Sequence, residues 1–178
     1  MTRMVALLRA VNVGGRKLPM AEFRAHVAEL GWKNVATYIQ SGNLVFDAAC
    51  SPAEAAATLE TLIARHYGYE SPAIVRTRAQ WASYPPGNPF PDEARETPGY
   101  LLMLLSKQPP TADAAVSIQA RAAAGEQVKQ AGDALWIHFP RGSGTSKLTP
   151  AFLDKAIGST ATSRNYRTVC TLLDMLDA

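Results

Sequence analysis

A glycine-rich loop flanked by cations is the first stretch whose residue types could do chemistry. The segment 9–17 reads Arg-Ala-Val-Asn-Val-Gly-Gly-Arg-Lys and follows a short apolar run that predicts a strand. Such a loop can turn several backbone N–H groups toward one point, and this concavity binds anions when Arg or Lys adds charge. Arg9, Asn12, Gly14 and Gly15 are therefore candidate ligand-binding residues. The spacing matches neither a Walker A loop nor a Rossmann fingerprint, and a tight connection between solvated cations is the alternative.

A second polar cluster lies at the tip of a predicted hairpin, where Gln40, Ser41 and Asn43 surround Gly42. Amide and hydroxyl groups of this kind orient a polar ligand, but they activate nothing unless a base stands near. No Asp-His pair adjoins Ser41. The three polar residues are ligand-binding candidates, and turn chemistry with local side-chain to backbone bonds is the alternative.

Two segments of the C-terminal half place cations where helices are predicted to begin. Lys147 follows a loop rich in Gly and Ser, and Arg164 and Asn165 stand at the start of the last predicted helix. The unpaired N–H groups of a helix start attract anions, and Arg164 with Arg167 could grip an oxyanion through both guanidinium groups. Lys147, Arg164 and Asn165 are therefore further candidates. The alternatives are a flexible loop and arginines that pair with acidic side chains.

Residues that ligate metals or act as nucleophiles are few. The chain has three His and two Cys, and Cys50 and Cys170 match no metal spacing and no disulfide framework. Structural roles are expected for His26, His66 and His138. We expect no metal and no cofactor, and the sequence identifies no general base. Whether the protein is an enzyme is left open, and no catalytic residue is named.

The amino-acid composition limits the classes of protein to which the chain can belong. The chain has 178 residues, 47% hydrophobic and 19% charged, which excludes intrinsic disorder and fibrous repeats. A net charge of +3 permits an anionic partner but is too small for a general nucleic-acid coat. The apolar runs are too short for a signal peptide or a membrane span. We therefore expect a cytoplasmic protein that does not bind membranes.

The elements that must position these residues begin with an alternation of strands and helices over residues 1–78. Strands are predicted at 4–11, 35–39, 44–46 and 73–77, with helices opening at Pro19 and at Ser51-Pro52. The order is βαββαβ. That order is the ferredoxin-like arrangement, in which two helices cover one face of an antiparallel sheet.

The second half is predicted to form a related lobe. Residues 79–98 contain enough prolines to forbid a long helix or a central strand, and we predict a proline-rich connection there. Residues 99–178 then read as βαββαα, with the last two helices at 147–157 and 163–176. The predicted fold class is α+β in two lobes, the first ferredoxin-like and the second a related unit.

These motifs together resemble a bacterial family known as domain of unknown function 1697. Its pattern runs roughly Leu-Leu-Arg-Gly-Ile-Asn-Val-Gly-Gly, Tyr-Ile-Gln-Ser-Gly-Asn, Asn-Pro-Phe, Ser-Lys and Thr-x-Arg-Asn-Trp. The counterparts in this chain are residues 7–15, 38–43, 88–90, 146–147 and 162–166. The chain departs from the pattern with Ala10 for Gly, Val11 for Ile and Tyr166 for Trp. The resemblance implies a two-lobed α+β fold with ferredoxin-like features and supplies no established activity.

The leading hypothesis from the sequence is that the polar candidates converge in a cleft between the lobes that binds an anionic small molecule, such as a nucleotide or another phosphorylated compound. One alternative is a single-stranded nucleic-acid-binding module that uses an open sheet face with Tyr38, Phe46 or Trp136. Another is a protein-interaction or self-assembly domain. The oligomeric state is not predicted.

Overall fold

The computed structural model describes all residues from 1 to 178. The chain forms two compact units, which we call the first unit (residues 1–82 with 172–178) and the second unit (residues 83–171). Both are α+β, which confirms the predicted fold class. The predicted boundaries, 1–78, 79–98 and 99–178, stay a prediction. None of the helices combines the length and apolar character needed to cross a lipid bilayer.

The first unit contains a four-stranded antiparallel sheet covered by two helices. Its elements are β1 (Thr2–Leu8), α1 (Met20–Glu29), β2 (Lys33–Tyr38), β3 (Asn43–Ala48), α2 (Pro52–Tyr67), β4 (Ala73–Thr77) and the one-turn α3 (Arg78–Trp81). The strands lie side by side in the order β2-β3-β1-β4. This is the strand order expected of the ferredoxin-like arrangement.

Local sequence explains where α2 begins and ends. The Ser51 side chain accepts a hydrogen bond from the Glu54 backbone N–H, and the Glu54 side chain in turn accepts one from the Ser51 backbone. This capping box satisfies N–H groups that a helix start leaves unpaired, and Pro52 suits the first helical position. Gly68 ends the helix with a φ of 76°. The buried face of α2 places Leu59 and Ile63 in the core against one side of the sheet.

The second unit repeats the arrangement with its own sheet. Its elements are α4 (Pro91–Glu96), β5 (Leu101–Ser106), α5 (Ala114–Arg121), β6 (Gln127–Ala131), β7 (Ala134–His138), α6 (Pro150–Ile157) and β8 (Ala161–Asn165). The strand order is β6-β7-β5-β8, all antiparallel. A final helix, α7 (Tyr166–Asp177), begins in the second unit and ends in the first.

Two predicted elements of the second half need correction. Residues 161–165 form β8, which pairs with β5, whereas the prediction began a helix at residue 163; the order is therefore βαββαβ followed by α7. The predicted helix 147–157 begins only at Pro150. Thr149, whose side chain accepts a hydrogen bond from the Phe152 backbone, is its N-cap. Hydroxyl capping and Pro at the first position together place the helix start there.

Candidate functional site

Two connections of the first unit meet at the end of β1. We call them the loop pair: segment 9–17, which leads from β1 toward α1, and segment 38–43, the turn between β2 and β3. The Leu8 backbone N–H donates to the Gly42 carbonyl at 2.8 Å. A Cβ on Gly42 would lie 2.6 Å from Val11 Cγ2 and 2.8 Å from Leu8 Cβ. Only glycine allows the two connections to approach this closely.

Asn12 joins the two segments through its side chain. Its Nδ2 donates to the Gln40 carbonyl at 2.7 Å and to the Leu18 carbonyl at 3.2 Å. Its Oδ1 accepts from the Leu18 backbone N–H at 2.9 Å. The Asn12 amide therefore joins the turn 38–43 to Leu18, which directly follows segment 9–17, so Asn12 holds the loop pair together.

Asn43 has a similar role inside the turn. The residue is buried, and its Nδ2 donates to the Tyr38 carbonyl at 2.9 Å and to Ser41 Oγ at 3.1 Å. A buried amide that is paired in this way stabilises one backbone conformation. Asn43 thus shapes the turn that presents Gln40 and Ser41, both of which are exposed.

The double glycine makes a tight turn in segment 9–17. The Arg16 N–H donates to the Val13 carbonyl at 3.1 Å, and Gly14 and Gly15 have φ angles of 56° and 81°. Two central residues with positive φ are typical of a type I′ turn, the form that suits a hairpin. Arg16 then lies over the Tyr69 ring, with its Cζ 5.9 Å from the ring centroid. The turn therefore gives a cation a defined position.

Backbone strain is concentrated in the loop pair. Four residues other than glycine have a left-handed φ: Ala10 (55°), Asn12 (54°) and Ile39 (51°) in the loop pair, and Asn34 (49°) on β2. Asn tolerates this region, but a β-branched residue such as Ile39 is a genuine outlier there. Each strained position costs on the order of 1–3 kcal/mol and persists only where its surroundings enforce it.

The charges of the loop pair have one sign. Its charged side chains are Arg9, Arg16 and Lys17, of which the last two are exposed and Arg9 is half-buried. The connection before β4 lies close by, because Ser71 Oγ donates to the Arg9 carbonyl at 2.8 Å. That connection contributes one exposed acid, Glu70. The loop pair itself is thus a cationic surface.

The structure places seven of the ten predicted site residues in the loop pair: Arg9, Asn12, Gly14, Gly15, Gln40, Ser41 and Asn43. The other three, Lys147, Arg164 and Asn165, belong to the second unit. Their convergence with the first seven in one cleft stays a prediction.

The three residues of the second unit have different surroundings. Lys147 is exposed, whereas Arg164 on β8 is only 7% exposed, and burial lowers the pKa of its guanidinium to about 10. Arg164 Nη1 donates to the Ser163 carbonyl at 2.7 Å. Asn165 Oδ1 accepts from the Thr168 backbone N–H at 3.0 Å, so Asn165 caps the start of α7.

Sequence reasoning missed the carboxylate that organises the loop before α6. Glu126 is buried, and its carboxylate accepts hydrogen bonds from Ser146 Oγ and from the backbone N–H groups of Ala123 and Ala124. Burial acts to raise the pKa of Glu126, but these hydrogen bonds outweigh burial and the pKa is lowered. Glu126 lies far from Ser146 in sequence, so no local motif indicated the pair.

A groove between α1 and α2 was also not predicted from the sequence. Its volume is about 440 Å³, and its lining includes Glu29, Arg65 and two histidines. The rings of His26 and His66 stack with their centroids 3.9 Å apart. The two histidines come from different helices, so their contact depends on packing. Across the chain, no three His, Cys, Asp or Glu side chains are placed to hold a metal ion.

The rings expected to form a stacking platform for nucleic acid are mostly inside the protein. Phe46 and Trp136 are buried, and Tyr38 is half-buried. Val5 and Leu7, which face away from α1 and α2 on β1, are buried as well. These rings therefore give little support to the nucleic-acid alternative, which itself stays a prediction.

Comparison with known proteins gives a family and a fold. The family model described as "Protein of unknown function (DUF1697)" matches residues 1–136. No curated protein is similar enough in sequence to count as a match. The solved structure of the conserved bacterial protein SP0830 from Streptococcus pneumoniae is similar with a TM-score of 0.74 and 24% sequence identity, over 98% of each chain. At this identity the likeness establishes the fold alone.

Proposed function

The chain belongs to the DUF1697 family, as the resemblance of its motifs predicted, and from the geometry of the loop pair we propose that it binds an anionic, phosphate-bearing small molecule or nucleotide there. One observation carries the proposal. Ala10, Asn12 and Ile39 keep a left-handed backbone in the loop pair, whose own charged side chains are all cations. Strain of this kind clusters at ligand sites, where it preorganises the contacts.

Each part of the loop pair has a role in this proposal. Arg16 and Lys17, next to the glycine turn, hold the anion, and Arg9 adds charge from the end of β1. Gln40 and Ser41 offer neutral hydrogen-bonding groups to the remainder of the ligand. Asn12 and Asn43 act through the backbone, because their side chains keep the two segments in place.

We propose that this binding takes place in the cytoplasm. Neither Cys50 nor Cys170 forms a disulfide, which is the usual state of cysteine in that compartment.

A thermal-shift measurement with inorganic pyrophosphate and a series of phosphorylated metabolites tests the proposal. A ligand at a hundred times its dissociation constant stabilises the folded state by about 2.7 kcal/mol. For a chain of this size the melting temperature then rises on the order of 5 to 10 °C. The double variant Arg16→Ala/Lys17→Ala is expected to lose most of the rise, because it removes the two exposed cations.

Lys155→Ala is the matched control, since Lys155 is an exposed cation on α6 in the second unit. It should keep the full shift. A shift that survives in the double variant at its original size, or the absence of a shift with every phosphate compound, contradicts the proposal.

A further inference from the structure

Two apolar side chains stand exposed in the loop pair. Val13 is 57% exposed and Ile39 is 51% exposed, and they are two of only six large hydrophobic residues exposed in the chain. The bond from Asn12 Nδ2 to the Gln40 carbonyl joins the residues next to them. Val13 and Ile39 therefore flank one contact between the two segments.

Ile39 does not belong to the buried core, whose packing could offset its strained backbone. Half of its surface is in water, and its φ of 51° is one that Gly or Asn adopts more easily. A β-branched apolar residue held in this state is a reason to look for a partner outside the fold.

Gln40 adds an exposed hydrogen-bonding side chain to the loop pair. Its Oε1 accepts from Asn12 Nδ2 at 3.3 Å, so its orientation is constrained while the two donors on Nε2 lie outside this bond. Arg16 and Lys17 belong to the same segment as Val13. An anionic group, an apolar face and a hydrogen-bond acceptor are the features of a ligand that would use all of these residues.

We infer that the ligand of the loop pair is a nucleotide, with its base against Val13 and Ile39 and its phosphate against Arg16 and Lys17. This inference rests on the proposed function and adds the class of ligand and two residues to it. Gln40 Nε2 donates to an acceptor on the edge of the base, as amide side chains do in nucleic-acid recognition.

Titration with AMP, ribose 5-phosphate and adenosine separates the contributions of phosphate and base. AMP is expected to bind about tenfold more tightly than ribose 5-phosphate, a difference typical of one well-packed base. In Ile39→Asn this preference should disappear while ribose 5-phosphate binds as before. Asn adopts a left-handed φ readily, so this variant is expected to fold.

Val116→Asn is the control, because Val116 is 73% exposed on α5 and should not affect either ligand. A short single-stranded oligonucleotide is tested as well. If it binds more tightly than AMP and its binding is lost in Ile39→Asn, the nucleotide that the loop pair recognises is part of a nucleic-acid strand. Equal binding of AMP and ribose 5-phosphate, or an AMP preference that survives in Ile39→Asn, overturns the inference and leaves the proposed function standing. If neither these ligands nor pyrophosphate binds, both this inference and the proposed function fail.

Discussion

Ala10 shows how one side chain can store strain in the loop pair. Its φ of 55° is a conformation that costs an L-residue about 1–2 kcal/mol, whereas glycine adopts it freely. The DUF1697 pattern usually has glycine at this position. Alanine at this position therefore lowers the stability of the folded chain relative to glycine.

Ala10→Gly should accordingly stabilise the protein. We expect the free energy of unfolding to rise by about 1 kcal/mol, since relief of strain exceeds the entropy that glycine adds to the unfolded chain. Urea unfolding measures the change. The control, Ala57→Gly on the exposed side of α2, should lower stability by about 1 kcal/mol. Equal losses in the two variants would show that Ala10 is unstrained.

The sequence indicated which residues of the loop pair are polar, but not what each one does. Asn12 bonds to Gln40 across a long stretch of sequence, and Asn43 is buried beneath its own turn. Both roles depend on how distant segments pack. The strain at Ile39 was equally hidden, because nothing in the residue type of Ile favours a positive φ.

At the scale of helices and strands, strong local signals in the sequence were sufficient to predict most of the fold. The capping box of α2 and its terminal Gly68 were read directly from residue types. Strand β8 could not be predicted from residue types, because its sequence Ala-Thr-Ser-Arg-Asn lacks the apolar alternation of a typical strand. It forms because β5 offers an unpaired edge, and pairing with a neighbouring strand overrides weak local preference.

The loop before α6 depends on a bond between Ser146 and Glu126. Ser146 Oγ donates to Glu126 and also accepts from the Leu148 backbone N–H. Ser146→Ala should therefore lower the free energy of unfolding by about 1–2 kcal/mol at neutral pH. Ser143→Ala, in the exposed part of the same loop, should change it little. Urea unfolding of both variants makes the comparison, and equal losses would contradict the role of Ser146.

The same bond predicts a dependence on pH. The folded-state pKa of Glu126 is lowered, so its contribution to stability is full above the unfolded-state pKa of about 4.3 and is lost as the pH falls through the folded value. The gap in stability between the wild-type protein and Ser146→Ala should therefore narrow below about pH 4. If the difference in stability is constant with pH, the charge of the Glu126 carboxylate does not contribute to the free energy of unfolding.

At the scale of the whole molecule, the chain passes between the two units twice. The last residues of α7 belong to the first unit, where Arg3 Nη2 donates to the Met175 carbonyl at 2.8 Å and Arg78 pairs with Asp177. Leu176 is buried there. The first unit is thus completed by residues from the far end of the sequence, an arrangement that local patterns cannot reveal.

Leu176→Ala should destabilise the first unit. Loss of a buried leucine side chain costs about 2–5 kcal/mol, and we expect faster amide hydrogen exchange in β1. Asp174→Ala, at an exposed position on the same helix, is the control and should leave exchange in β1 nearly unchanged. Equal exchange in the two variants would show that the end of α7 does not support the first unit.

Both four-stranded sheets have the same strand order. All four strained residues other than glycine belong to the first unit. In the second unit, every residue with positive φ is a glycine, so its connections carry no strain of this kind. Strained connections therefore distinguish the first unit from the second, although the two sheets are built alike.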